Sequence, residues 1–290
     1  MAQGYRHADA TGEAALANVS LAERAWRIRR NALLMGEVQG QGYVGQALGI
    51  ADVLAVAWFH TMRYRADDPH WEGRDRFLLS IGHYAIALYA ALIEAGVIPE
   101  DELETYGCDG SRLPMSGMAS YTPGMEITGG SLGHGLGIAV GMALGLKRKN
   151  SDRFIINMMS DGELGEGSTW EAAMGASHHR LGNLINLVDF NNQQADGPSR
   201  EMLSSEPVDA KFAAFGWHVQ RVDGNDIDKV REAFDIAMSL TDDRPRAIIF
   251  DTRMGRGVPF LENREITHFI RVEAHEWKLA LDALEEGRPQ

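Results

Sequence analysis

Between Phe154 and Gly197 the chain reads FIINMMSDGELGEGSTWEAAMGASHHRLGNLINLVDFNNQQADG, and few backbone paths are compatible with that order. Phe154 to Met159 is short, apolar in character and flanked by polar residues, the pattern of a strand buried on both faces of a parallel sheet. It stops at Ser160-Asp161-Gly162, where Gly162, Gly165 and Gly167 let the backbone turn tightly. Thr169 to Arg180 then has helical spacing, and Leu184 to Phe190 repeats the buried-strand pattern. Two parallel strands need a crossover between them, so the segment reads as one strand-helix-strand unit.

Ligands of open parallel sheets bind beyond the carboxyl ends of the strands. Asp161 and the pair Asn191-Asn192 therefore emerge on one edge. Asp161 offers an anionic oxygen, Asn191 a neutral one, and a carbonyl near Gln193 a third. Three such oxygens are too few for Ca2+ but suit Mg2+, which accepts phosphate oxygens and water for its remaining positions. The pattern thus points to a diphosphate partner. Taken alone, Asp-Gly and Asn-Asn each also read as turns; their joint spacing and strand context favour the ligand reading.

Elsewhere strands and helices alternate. Ser20 with Glu23 is a capping-box pattern that predicts a helix to about Met35. A glycine-rich loop is expected through Gly49, then a helix over Ile50 to His60. Asp67 to Gly73 reads as a polar turn, Arg76 to Ser80 as a strand, and His83 to Ala95 as a helix. Tyr106 to Gly130 shows little period, and a loop of that length is usually functional. A small-residue helix follows Gly135. Gly133, Gly135 and Gly137 hint at a dinucleotide fingerprint, but no strand precedes them. Beyond the central unit the pattern predicts helix over Pro207 to Phe215, strand over Trp217 to Val222, helix over Ile227 to Leu240, strand over Ala247 to Thr252, a glycine loop over Met254 to Phe260 and a closing helix over Val272 to Glu286. The fold class is α/β: a doubly wound, mostly parallel sheet with helices on both faces.

Composition narrows the function classes. The 290 residues read as one domain, with residues 1–19 as an N-terminal extension. A formal charge of −13 argues against a nucleic-acid partner. The single cysteine, Cys108, precludes an internal disulfide and favours a reducing compartment. The N-terminus lacks the apolar core of a signal peptide, and the longest apolar segment, Ser131 to Leu146, is broken by five glycines. A cytoplasmic protein with no membrane partner is expected. The pair His178-His179 has no metal-ligand spacing around it.

In order, Gly49-Ile50-Ala51-Asp52, Asp75-Arg76-Phe77, Gly82-His83, Thr122-Pro123-Gly124-Met125-Glu126, Gly130-Ser131-Leu132-Gly133, the Ser160-Asp161-Gly162 to Asn191-Asn192 unit and Phe215-Gly216-Trp217 resemble the N-terminal, diphosphate-binding domain of transketolase. Twenty-eight residues separate Gly162 from Asn191, as in the family's thiamine diphosphate motif, with Ser160 in place of its first glycine. The resemblance spans about Ser20 to His268 and implies thiamine diphosphate and Mg2+ as cofactors. It implies Asp161, Asn191 and the Gln193 carbonyl as metal ligands. It places Ser131, Leu132, Gly133, Gly162, Glu163, Asn191 and His83 at the cofactor, and His83 and His268 in catalysis. Glu166 and Glu171 would lie at a domain interface. It further implies a partner, a C-terminal transketolase subunit carrying the pyrimidine-binding and C-terminal domains, within a heterotetramer that transfers a two-carbon ketol unit from a sugar donor to an aldehyde.

Two positions depart from the family. Tyr43 and Ser116 stand where it has histidines that contact the donor's hydroxyls and assist proton transfer. Tyrosine and serine can hydrogen-bond there, but neither is a base near neutral pH. A different donor, such as a 2-oxo acid, stays open on that ground. A non-catalytic interaction subunit is the alternative from another class, disfavoured by the presence of both Asp161 and Asn191.

Overall fold

The computed structural model describes residues 19–264 and 267–289, so the expected N-terminal extension lies, but for its last residue, outside the described residues. Five strands form its centre: β1 (Arg76–Leu79), β2 (Ile155–Ser160), β3 (Leu184–Phe190), β4 (His218–Asp223) and β5 (Arg246–Asp251). They pair in parallel in the spatial order β1-β2-β3-β5-β4. Around them lie α1 (Leu21–Gln39), α2 (Val44–Gly49), α3 (Ala51–Val56), α4 (Ala85–Glu94), α5 (Gly135–Arg148), α6 (Gly167–His178), α7 (Val208–Ala214), α8 (Ile227–Ser239) and α9 (Ala274–Glu286).

Side chains alternate along each strand, so each feeds two cores. Ile156, Met158, Ile185, Leu187, Ile248 and Phe250 pack under α1 to α4, α8 and α9. Ile155, Met159, Leu184, Val188, Ala247 and Ile249 pack under α5, α6 and α7. This is the doubly wound α/β architecture expected from the pattern, and it leaves the carboxyl ends of β1, β2 and β3 side by side. None of the helices among the described residues is long and apolar enough to cross a membrane.

The glycine-rich stretch after α1 is where the sequence misleads. The Ser20 hydroxyl caps α1 as expected, accepting the Glu23 N–H at 3.1 Å. The helix then runs past Met35 to Gln39, and α2 is already helical at Val44, so irregular backbone is confined to residues 40–43. Gly36 does not break the helix. A Cβ there would lie 2.7 Å from both Val44 and the Trp277 ring, so the missing side chain is the room in which α2 and α9 close on α1. The expected helix over Ile50 to His60 is likewise interrupted, with a turn at Ile50 and π-helical winding over Ala57–Thr61 after α3. Gln41–Gly42 pairs antiparallel with Ile270–Arg271, a contact the sequence did not signal, and draws residues 267–269 toward the start of α2.

Two polar side chains sit inside this apolar frame. Asn157 and Asn186 are fully buried and opposite one another on β2 and β3, with Asn157 Nδ2 donating to Asn186 Oδ1 at 2.8 Å. Replacing one partner should strand the other amide in the core. Asn157→Leu is expected to lower the unfolding free energy by about 1–3 kcal/mol, and Asn157→Leu/Asn186→Leu by less than the single change. Urea denaturation of both variants checks the sign of that difference.

Candidate functional site

The parallel register sets the site. Ser160 lies opposite Asp189, so Asp161 and Asn191 both follow immediately beyond the ends of adjacent strands. Asp161 is buried, and its carboxylate accepts the Ser199 hydroxyl at 2.7 Å and the N–H groups of Gly162 and Asn192. Asn191 donates from Nδ2 to Asp189 Oδ2 at 2.6 Å and to the Tyr84 hydroxyl at 2.9 Å, while its Oδ1 accepts the Gln193 N–H at 3.0 Å. Gln193–Gln194 and Gly197–Pro198 form a small hairpin that the sequence reading missed. Ser199 donates its N–H to the Asn192 carbonyl at 3.1 Å, which makes Gln193 opposite Pro198 the non-hydrogen-bonded pair and turns the Gln193 carbonyl out of the ladder.

Charge is unbalanced here. Burial, followed by the charge of Asp189, pushes Asp161 up to about 7, and burial raises Asp189 as well. Among the described residues the donors to both carboxylates are neutral: hydroxyls, an amide and backbone N–H groups. Two buried carboxylates compensated only by neutral donors suit a cation. Among the described residues no three His, Cys, Asp or Glu side chains cluster closely enough to hold a metal by themselves. One carboxylate and two neutral oxygens are a partial set, and phosphate and water oxygens fit what remains of an octahedron.

Glu163 faces inward. Its carboxylate accepts the Ser80 hydroxyl in a short bond, the Gly133 N–H at 2.9 Å and the Ser160 N–H at 3.1 Å, and Ser80 in turn receives the Gly135 N–H at 3.0 Å. Glu163 and Gly133, both expected at the cofactor, are thus bonded to one another and fix the 130–135 loop to the ends of β1 and β2. Leu132 packs on the core and Ser131 is exposed. The loop can sit so low because glycine meets glycine: a Cβ on Gly82 would lie 2.4 Å from the Gly129 carbonyl carbon. Gly117 donates its N–H to the Gly82 carbonyl at 3.0 Å, which brings Ser116 to the same edge, 4.0 Å from where a Cβ of Gly130 would stand.

His83, Tyr43 and His268 converge from three separate stretches. The Tyr43 ring centroid lies 4.5 Å from His83 and 5.6 Å from His268, and the two imidazoles are 5.5 Å apart. His83 is not the satisfied helix-start histidine that its position would also allow, because its buried Nε2 has no hydrogen-bond partner among the described residues. Gln46 Nε2 donates to the His268 carbonyl at 2.6 Å and lies 3.3 Å from His268 Nδ1, an arrangement that assigns Nδ1 as acceptor and leaves the proton on Nε2. Residues 265 and 266, shortly before His268 in sequence, lie outside the described residues. Glu166 and Glu171 are exposed at the start of α6. Sequence reasoning missed Tyr84, Asp189 and Ser199, which meet Asn191 and Asp161 only through tertiary contacts that no local pattern reveals.

Residues 23–284 match the family described as transketolase, thiamine diphosphate binding domain. The chain is 70% identical over 270 residues to a transketolase family protein of Sinorhizobium fredii, covering 93% of this chain and 97% of that one. It is 39% identical over 247 residues to the 6-deoxy-6-sulfo-D-fructose transketolase subunit SqwG of a Clostridium species, covering 85% and 90%. The solved transketolase of Campylobacter jejuni superposes with a TM-score of 0.85 at 29% identity over 92% of this chain, which spans 43% of that chain's length. The chain belongs to the transketolase family, within its thiamine diphosphate binding domain.

Burial, followed by the charge of His268, lowers His83 to about 4. Because the unfolded chain holds this imidazole at its ordinary 6.5, it binds more protons than the folded one between those values. The contribution of His83 to stability is therefore complete above pH 6.5 and lost as pH falls toward 4. A proton NMR titration of the His83 ring should give a midpoint near 4; a midpoint of 6.5 or above contradicts its burial.

Proposed function

We propose that this chain is the diphosphate-binding subunit of a Mg2+-dependent transketolase-like enzyme that transfers a two-carbon ketol unit from a ketose to an aldehyde. It works in the cytoplasm with a second chain that carries the pyrimidine-binding and C-terminal domains, in a heterotetramer. The observation that carries this reading is the placement of Asp161 and Asn191 beyond adjacent strand ends, with the Gln193 carbonyl turned out of its hairpin ladder. Coverage supports the two-chain arrangement: a relative named as a subunit is matched over 90% of its length, whereas the full transketolase is matched over 43%.

When bound, thiamine diphosphate supplies the carbanion chemistry that cleaves the bond next to a ketose carbonyl. Asp161, Asn191 and the Gln193 carbonyl would hold Mg2+, and Gly162 at the turn beyond β2 would approach the diphosphate. His83, neutral at physiological pH, offers an Nε2 that has no partner among the described residues as donor or acceptor. Glu163 acts from behind, keeping the loop with Leu132 in place.

Reconstitution tests the reading. The chain alone should show no ketol transfer, and activity should appear with a second subunit of about 300 residues, the size of one or two further domains. Asp161→Ala should abolish Mg2+-dependent binding of thiamine diphosphate while the fold persists. Calorimetry finding unchanged cofactor affinity in that variant would sink the assignment.

The donor pocket separates this chain from the usual transketolase. A ketose donor loses its C3 hydroxyl proton as the carbon-carbon bond breaks, and a base near neutral pH suits that step. Tyr43 packs against both His83 and His268, a tyrosine is no such base, and burial lowers both imidazoles. The Clostridium relative is named for 6-deoxy-6-sulfo-D-fructose, which supports donors other than sugar phosphates in this part of the family. Conventional ketose phosphates should turn over slowly. Tyr43→His with Ser116→His should raise their rate relative to the native donor, within the roughly 100- to 10,000-fold range of a positioned acid or base. Steady-state rates across a panel of ketoses and 2-oxo acids check this.

A further inference from the structure

We propose that Asp189, with Tyr84, is the positioning residue that decides which atom of Asn191 faces the metal. An asparagine amide can be turned either way, and its oxygen and nitrogen occupy nearly the same volume. Asn191 has both of its amide hydrogens drawn inward: one to Asp189 Oδ2 at 2.6 Å and one to the Tyr84 hydroxyl at 2.9 Å. Tyr84 closes the triangle by donating to the same Asp189 oxygen at 2.8 Å, and Thr252 donates to the other in a short bond. A carboxylate that receives three donors cannot face another acceptor. The nitrogen must point at Asp189, so Oδ1 must point outward, where the Gln193 N–H meets it at 3.0 Å.

Mg2+ demands near-ideal geometry and sheds water reluctantly, so a ligand free to present an N–H₂ in place of its oxygen is a poor one. Partners behind a ligand commonly supply that orientation. Asp189 and Tyr84 are both about 99% buried, with no surface role to explain a carboxylate held on neutral donors. The triangle also reaches the catalytic edge, since the Tyr84 ring stands edge-on to His83 with centroids 5.0 Å apart. Asn191 and His83, more than 100 residues apart in sequence, are therefore set by one hydrogen-bonded group.

The inference rests on the Mg2+-diphosphate reading, and the test separates the two. Mn2+ with thiamine diphosphate is titrated into the reconstituted two-chain complex and followed by electron paramagnetic resonance, with circular dichroism and thermal unfolding on each sample. If the wild-type complex binds no Mn2+ in the presence of thiamine diphosphate, or if the Asp161→Ala complex binds as well as wild type, the metal reading itself fails and the inference falls with it. Given wild-type binding lost in Asp161→Ala, Asp189→Asn should bind about 10- to 100-fold more weakly, the usual cost of removing a partner behind a ligand. The exchange Asp189→Asn/Asn191→Asp restores a donor facing an acceptor and should recover most of the affinity. A purely structural Asp189 would lower the unfolding temperature without moving the metal affinity, and gives the exchange no reason to rescue binding. Unchanged affinity in a folded Asp189→Asn, or an exchange that binds no better than the single variant, overturns the proposal. Should Asp189→Asn not fold, Tyr84→Phe decides: weaker binding is expected, and wild-type affinity overturns it.

Discussion

The parallel pairing of β2 with β3 fixes where everything in the site can be. With Ser160 opposite Asp189, the chain leaves both strands at the same height, and Asp161 and Asn191 reach a common space without any long side chain bridging the gap. β1, on the other side of β2, delivers His83 and Tyr84 to the same edge. β5, beside β3, delivers Thr252. The helices then do little beyond covering the two faces. The site is a property of the sheet edge, and shortening or shifting one strand would dismantle it.

That dependence explains what was legible in the sequence. The apolar runs Phe154–Met159 and Leu184–Phe190 and the turn at Asp161-Gly162 are local features, and they yield the unit, its edge and the two ligand candidates. Asp189 carried no such signal. As the sixth residue of a buried strand it reads like an interruption, and the arrival of Tyr84 and Thr252 beside Asn191 gives it partners that the strand pattern does not announce. The partners of Glu163 were hidden for a related reason. Its position after Asp161-Gly162 suggests the cofactor, but which way a side chain points from a single 3₁₀ turn depends on Ser80 and Gly133, from two other segments.

Glycine misled in the opposite direction. Between Gly36 and Gly49 a high glycine content reads as a loop, because glycine is costly inside helices. Here α1 continues through Gly36 and α2 through Gly45, since the gain from bringing Trp277, Val44 and Thr267 against bare backbone outweighs the intrinsic preference. At Gly82 and Gly129 the same absence of side chains lets two backbones cross. Composition alone does not distinguish a glycine that bends the chain from one that admits a neighbour.

The buried pair Asn157 and Asn186 has a meaning beyond its hydrogen bond. An all-apolar strand can slide along its neighbour by two residues and still present greasy side chains to the same core, at little penalty. One amide on each strand removes that tolerance, because any slip parts them and leaves both facing hydrocarbon. The two asparagines act as a ruler inside the sheet, one four residues before Asp161 and the other five before Asn191, and what they measure off is the level at which Asp161 and Asn191 emerge. A polar rung deep in the core thereby protects the alignment of groups at its rim.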